Sequence, residues 1–164
     1  MLKADYKDEI LSMKKTLTTK KVAELYQILS KSSYSKLDDE DKIKVWKSTR
    51  GLKDIASKYS EDVRDANEKL MPSDFMDKYK KAKEYEETVV IKKPIISKEE
   101  YQAIVKEFTQ YSKLIEKAIK EFAETEVEVD VCPLTETAFG KFMASNKWNM
   151  EQTLIVSDFI VDNN

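Results

Sequence analysis

The side chains able to do chemistry fall in three places along this chain. Asp38-Asp39-Glu40-Asp41 is an unbroken run of carboxylates. Glu126, Glu128 and Asp130 alternate with Val127, Val129 and Val131, so an extended strand puts the three carboxylates on one surface. Carboxylates gathered on one surface are what a metal-dependent phosphoryl-transfer site requires. Cys132, next to Pro133, is the one thiol. A thiol reacts as its thiolate, which needs a cation or a helix N-terminus beside it. No basic residue adjoins Cys132 in sequence, so a small packed side chain is the better reading.

The residue types that are missing exclude more than these groups allow. The chain has no His, which rules out Ser–His and Cys–His nucleophile systems and an imidazole general base. One Cys cannot complete a zinc site of the His/Cys type. Two glycines, Gly51 and Gly140, cannot form a Walker loop or a dinucleotide fingerprint. Carboxylate chemistry is what remains, and both acidic groups have a structural explanation. The first sits where a helix should begin, and negative charge is favourable there. The second reads as the wet face of a strand buried on one side. Neither has the loop glycines or further ligands of a metal site. No catalytic, cofactor-binding or metal residue is therefore assigned, and a protein that is not an enzyme is expected.

Charge narrows the partners. With 29 basic and 31 acidic residues the net charge is −2 and the pI about 5.5, so nothing attracts the whole chain to nucleic acid or to an acidic membrane. Arg50 and Arg64 are the only arginines, and Arg is the side chain suited to bidentate phosphate recognition. The pairs Lys14-Lys15, Lys20-Lys21, Lys80-Lys81 and Lys92-Lys93 are interleaved with acids and read as solvated faces. The solitary Cys suits a reducing compartment. No apolar run approaches the roughly 18 residues of a membrane span, and the first residues lack a signal-peptide core. A soluble, unexported protein is expected.

The elements that must position these groups are mostly helices, because breakers are so scarce. Residues 1–16 read as a short helix or a mobile arm. Thr18 or Thr19 should cap a helix carrying Val22, Leu25, Tyr26 and Leu29. Ser30 to Ser35 is a polar break. A long helix is expected from Asp38 or Asp39 to Leu70, with Gly51 inside it and Pro72 ending it. Ser73 should cap another, carrying Phe75, Met76, Tyr79 and Ala82. Thr88 to Ile91, with Ile95-Ile96, reads as a strand, a small hairpin or an extended connection. Ser97 and Glu100 form a capping-box pair. It opens a strongly amphipathic helix whose stripe runs from Tyr101 to Phe122. That stripe should pack on the 39–70 helix, with Val127, Val129 and Val131 closing the same core. Strand 126–131 needs a partner, and 88–91, 95–96 and 31–37 are the candidates. Thr135 and Asn149 should cap two final helices. The expected fold is mainly α (α+β): an elongated antiparallel helical bundle or hairpin with a small two- or three-stranded β element. Residues 1–164 should form a single domain. Trp46, Trp148 and Phe159 are the candidate partner contacts, since Trp is enriched in interface hot spots; the same side chains also suit a core.

Glu124-Thr125-Glu126-Val127-Glu128-Val129-Asp130-Val131, then Pro133-Leu134 and the closing Leu154 to Val161, carry a family resemblance. In these residues and in element order the chain resembles a group of small, functionally uncharacterised proteins of tailed bacteriophages and prophages. It departs from that pattern over residues 71–97 and in its N-terminal extension. The resemblance implies a phage origin among virion structural or late genes, and it transfers no catalytic residues. It leads us to expect a non-enzymatic structural or assembly protein. Its partners would be other virion proteins or copies of itself, in the virion or the host cytoplasm. The alternative expectation is a small phage inhibitor or regulator of a host or defence protein. No small-molecule substrate, nucleic acid or membrane is expected as a partner.

Overall fold

A computed structural model describes residues 11–162. The protein is mainly α, about 70 % helical, with a small two-stranded antiparallel sheet. Strand β1 (Met13–Thr18) leads into α1 (Thr19–Leu29), α2 (Asp39–Arg50), α3 (Lys53–Lys69) and α4 (Ser73–Thr88). A single 3₁₀ turn (Val89–Ile91) precedes α5 (Lys98–Glu124), followed by β2 (Glu126–Val131), α6 (Glu136–Ala144) and α7 (Met150–Ile160). The chain forms two compact units. One runs up to Ser60 and resumes at Ala123; the other is Glu61–Phe122.

The first unit is built on β1 and β2. They pair antiparallel, with Met13 opposite Val131, Lys15 opposite Val129 and Leu17 opposite Val127. These pairs share the inner face, and Val129 and Val131 are buried. The partner of strand 126–131 is thus residues 13–18, not 88–91, 95–96 or 31–37. The short helix expected over residues 1–16 is corrected accordingly from Met13 onward; residues 1–10 lie outside the described residues. Lys15 concealed the strand, because a lysine falls at an inward position of the alternation. Its stem lies along the inner face while its Nζ donates to the carbonyls of Asp158 and Phe159, both at 2.8 Å. An ammonium at the last turn of α7 meets orphan carbonyls and the negative end of the helix dipole.

Around this ribbon one apolar cluster gathers Val22 and Leu25 of α1, Val45 of α2, Leu52, Phe142 of α6, and Val156 and Phe159 of α7. The short connections are closed by local capping, as expected. Thr18 Oγ1 accepts from the Lys21 N–H, and Thr135 Oγ1 from the Ala138 N–H. Asn149 and Gln152 form a complete capping box. Beyond Pro133, the Leu134 N–H donates to the Ile160 carbonyl at 2.7 Å, tying the loop after β2 to the end of α7. Ser48, the one buried polar residue among the described residues, joins α2 to β2: its Oγ accepts from the Cys132 N–H at 2.8 Å.

The helix expected over 39–70 is two helices. It stops at Arg50, where the Leu52 N–H bonds to the Thr49 carbonyl and tightens the last turn. Gly51 takes that terminal position, so its cost of about 1 kcal/mol in a helix interior is avoided. Pro72, not Ser73, occupies the N-cap of α4.

The second unit comprises the end of α3 from Glu61 and a helical hairpin of α4 with the part of α5 up to Phe122. Phe75 meets Tyr111 at 4.9 Å between ring centroids, Tyr79 meets Phe108 at 4.5 Å, and Tyr85 meets Tyr101 at 4.5 Å. The partners climb one helix as they descend the other, which is the register of an antiparallel pair. Ala82 and Ile104 fall between the ring pairs and are buried with Phe75. The stripe of α5 therefore packs on α4 over this stretch, which corrects the expected 39–70 partner. Its core is a separate cluster from the one that Val129 and Val131 enter. Of the strand, hairpin or extended connection open for Thr88 to Ile91, none forms over 88–91. Residues up to Thr88 continue α4, Val89–Ile91 form the 3₁₀ turn, and Lys92 reverses the chain with a left-handed φ of 55°. Ser97 does cap α5 through the Glu100 N–H.

Two stability outcomes follow from the first unit. Ser48→Ala leaves the Cys132 N–H buried without its acceptor and should cost about 1–3 kcal/mol, read as a lowered urea midpoint with an unchanged m-value. An unshifted midpoint would show that the bond contributes nothing. A Cβ built on Gly140, in the middle of α6, meets no atom within 4 Å. Gly140→Ala should therefore stabilise by about 0.5–1 kcal/mol, and a lower melting temperature would contradict that.

Candidate functional site

The two acidic groups resolve into architecture. Asp39, Glu40 and Asp41 lie in the first turn of α2. Asp41 pairs with Lys44 at 3.7 Å and Asp38 with Lys141 at 3.8 Å. Glu126, Glu128 and Asp130 are exposed on the outer face of β2, opposite Thr18, Thr16 and Lys14 of β1. Among the described residues no group of three or more Cys, Asp or Glu side chains is placed to hold a metal ion. Cys132 is buried behind β2 with its backbone held by Ser48. No nucleophile–base pair arises from these placements.

The three candidate contact residues separate. Phe159 is 2 % exposed in the centre of the first core and offers no surface to a partner. Trp148 is half-buried at the edge of that core. It meets Phe142 edge-on at 4.8 Å, and its Nε1 donates to Ser32 Oγ at 3.1 Å. Together with Asn146, whose side chain bonds both the N–H and the carbonyl of Ser33 at 2.7 Å, it pins the 30–35 loop against the end of α6. Trp46 differs from both. It is 49 % exposed on α2, and the Arg50 guanidinium lies 4.5 Å above its ring. Ile43, one turn before, is also exposed. Arg50 four residues after Trp46 was visible in the sequence as a helical neighbour, but the side of the helix they occupy was not.

Two open clefts cut the first unit. The larger, about 510 Å³, lies between α1 and the start of α3, with Lys20, Glu24, Gln27, Ser57 and Tyr59 on its walls. The smaller, about 370 Å³, is bordered by Lys31, Ser32, Lys147, Trp148 and Gln152. Both present ordinary surface donors and acceptors. No helix of the described residues is long and apolar enough to cross a membrane.

In the second unit the exposed apolar residues concentrate at the connection between α4 and α5. Val90 is 81 %, Ile91 64 % and Ile95 56 % exposed, around Lys92 and Lys93. The sequence offered a strand, a small hairpin or an extended connection for these β-branched residues, and did not show that they would be exposed. Nearby, the Tyr101 hydroxyl donates to Glu86 Oε1 at 2.8 Å, and Lys83 approaches Glu86 Oε2 at 3.5 Å. The Tyr101 bond, and after it Lys83, holds the Glu86 carboxyl below its ordinary value. The same bond raises Tyr101, while Tyr79 and then Glu86 raise Lys83.

The sign for Glu86 is that of a depressed carboxyl. Its contribution to the hairpin is present above the unfolded-state value and is lost as pH falls through the folded one. In Tyr101→Phe the Glu86 side-chain resonance, followed by NMR against pH, should titrate closer to an ordinary glutamate. An unmoved midpoint would rule out the Tyr101 bond as the cause. Comparison of the chain with family models, with curated proteins and with solved structures finds no match.

Proposed function

We propose that this chain is a non-enzymatic structural or assembly protein of a tailed phage, acting through protein–protein contacts in the virion or during its construction. The observation that carries the reading is the apolar run at the α4–α5 connection, where Val90, Ile91 and Ile95 face solvent. Strongly exposed apolar side chains grouped in one short connection, on a surface otherwise rich in Lys and Glu, support a contact surface there. The hairpin behind the run supports this. Its core holds few fully buried side chains, with aromatic residues only partly covered beside them, which leaves apolar surface for a partner to cover. The resemblance of residues 124–134 and 154–161 to tailed-phage proteins gives the setting, in which other virion proteins are the partners. No small molecule, cofactor, nucleic acid or membrane enters this reading.

The test is a mass-spectrometric inventory of purified particles from the phage or prophage that encodes the chain. The protein should be recovered with particles or with their assembly intermediates. Val90→Asp combined with Ile91→Asp should deplete it from those fractions at least about tenfold, the loss expected when a contact residue is replaced by an unpaired charge. Its melting temperature should stay unchanged, because both side chains are exposed. Absence from every particle and intermediate would overturn the reading. Recovery of a bacterial protein in its place would favour a phage inhibitor or regulator of a host or defence protein.

A further inference from the structure

We propose that the outer line of α2 is a self-association surface and that the same line of a second copy of this chain occupies it, antiparallel, about a twofold axis. A helix packed on a core by one face is expected to be polar on the other. In α2 the packed face carries Val45 and Ser48, both buried. Opposite them Asp39, Ile43, Trp46 and Arg50 are all exposed. Their spacing of four, three and four residues is the seam of a two-helix contact. The middle of the seam is apolar, with Ile43 36 % and Trp46 49 % exposed.

The ends of the seam select the partner and its direction. The first turn of α2 is acidic, with Asp39, Glu40 and Asp41, and the last turn is basic, with Lys47 and Arg50. A parallel copy would set like charges together. An antiparallel copy centred between Lys44 and Val45 places Asp39 against Arg50 of the second copy and Ile43 against its Trp46. The twofold axis then repeats both pairs. The ends of the helix thus complement themselves, so a second copy satisfies them without any other protein.

Arg50 is already arranged for this role. Its guanidinium lies over the Trp46 ring at 4.5 Å. A stacked guanidinium keeps its N–H edge available to a carboxylate. Asp39 has a fully exposed side chain whose intrachain approach to Lys42 is long, at 3.9 Å. Trp and Arg are also the residue types that dominate interface hot spots. The α2 helix is only about 18 Å long. The interface therefore falls below the roughly 1,200 Å² of a standard stable complex, and a dissociation constant on the order of 10–100 µM is expected. The inference does not depend on the phage reading, and the particle inventory leaves it untouched.

Sedimentation equilibrium of the full chain, from about 1 µM to about 1 mM, tests it. A reversible monomer–dimer equilibrium is expected. Trp46→Ala should weaken it at least about tenfold. Asp39→Arg and Arg50→Asp, each turning the two attractive pairs into repulsive ones, should each weaken it by about tenfold. The double variant Asp39→Arg with Arg50→Asp should recover to within about threefold of the parent, because the swapped charges meet again across the axis. These side chains are exposed, so the charge variants should stay folded and lower the melting temperature by only about a few °C, the cost of reversing the favourable charges at the ends of α2. A monomer throughout the range, or a double variant no tighter than the single ones, overturns the proposal.

Discussion

A strand with valines on one face and carboxylates on the other cannot stand alone. Its apolar face needs a core and its backbone needs a neighbour. In the first unit β1 supplies that neighbour, and most of the remaining structure serves to hold the two strands where the core can use them. Ser48 fixes the backbone just beyond β2 to α2. Lys15 fixes the inner face of β1 to the end of α7. The bridge between Leu134 and Val161 ties the exit from β2 to the end of the same helix. All three ties are polar and all three terminate on backbone groups. They set the position of the ribbon, and the apolar cluster of Val129, Val131, Phe142 and Phe159 supplies the driving force.

What could be read from the sequence divides by range. Thr18, Thr135 and Asn149 were legible as caps because the hydroxyl or amide and the N–H that it serves lie three residues apart. Strand 126–131 was legible because its alternation is strict. Its partner was not, since Lys15 occupies an inward position and no local rule anticipates an ammonium threading to the carbonyls of α7. Val89–Ile91 carry strand propensity but continue the bonding of α4. The left-handed Lys92 and then Pro94, which has no N–H for a ladder, leave no room for a strand. The two-part nature of the 39–70 stretch had its signal in Gly51. The stripe of α5 showed that it would be covered, and pairing rings across two helices needs register, which periodicity does not contain.

The contact residues followed the same division. Trp46, Trp148 and Phe159 are similar as residue types, yet one is exposed beneath a guanidinium, one props a loop and one fills a core. Large aromatic character identifies energetically important positions, but which molecule they serve depends on the face they occupy. The carboxylates of β2 teach the converse. Their spacing is that of a ligand set, while their environment is an open strand surface opposite Lys14 and two threonines.

The pairing of β1 with β2 also orders events in time. It joins residues more than a hundred positions apart, Met13 to Val131, whereas the rings of the α4–α5 hairpin meet across a short connection, Tyr85 against Tyr101. Closing a loop costs entropy that grows with its length, by about 0.6 kcal/mol per doubling, and structures rich in local contacts form sooner than those that need distant ones. During synthesis β1 leaves the ribosome early and stays without its strand until residues 126–131 follow. By then the whole hairpin has emerged and can fold. The unit that contains the first strand of the described residues is thus the last to close.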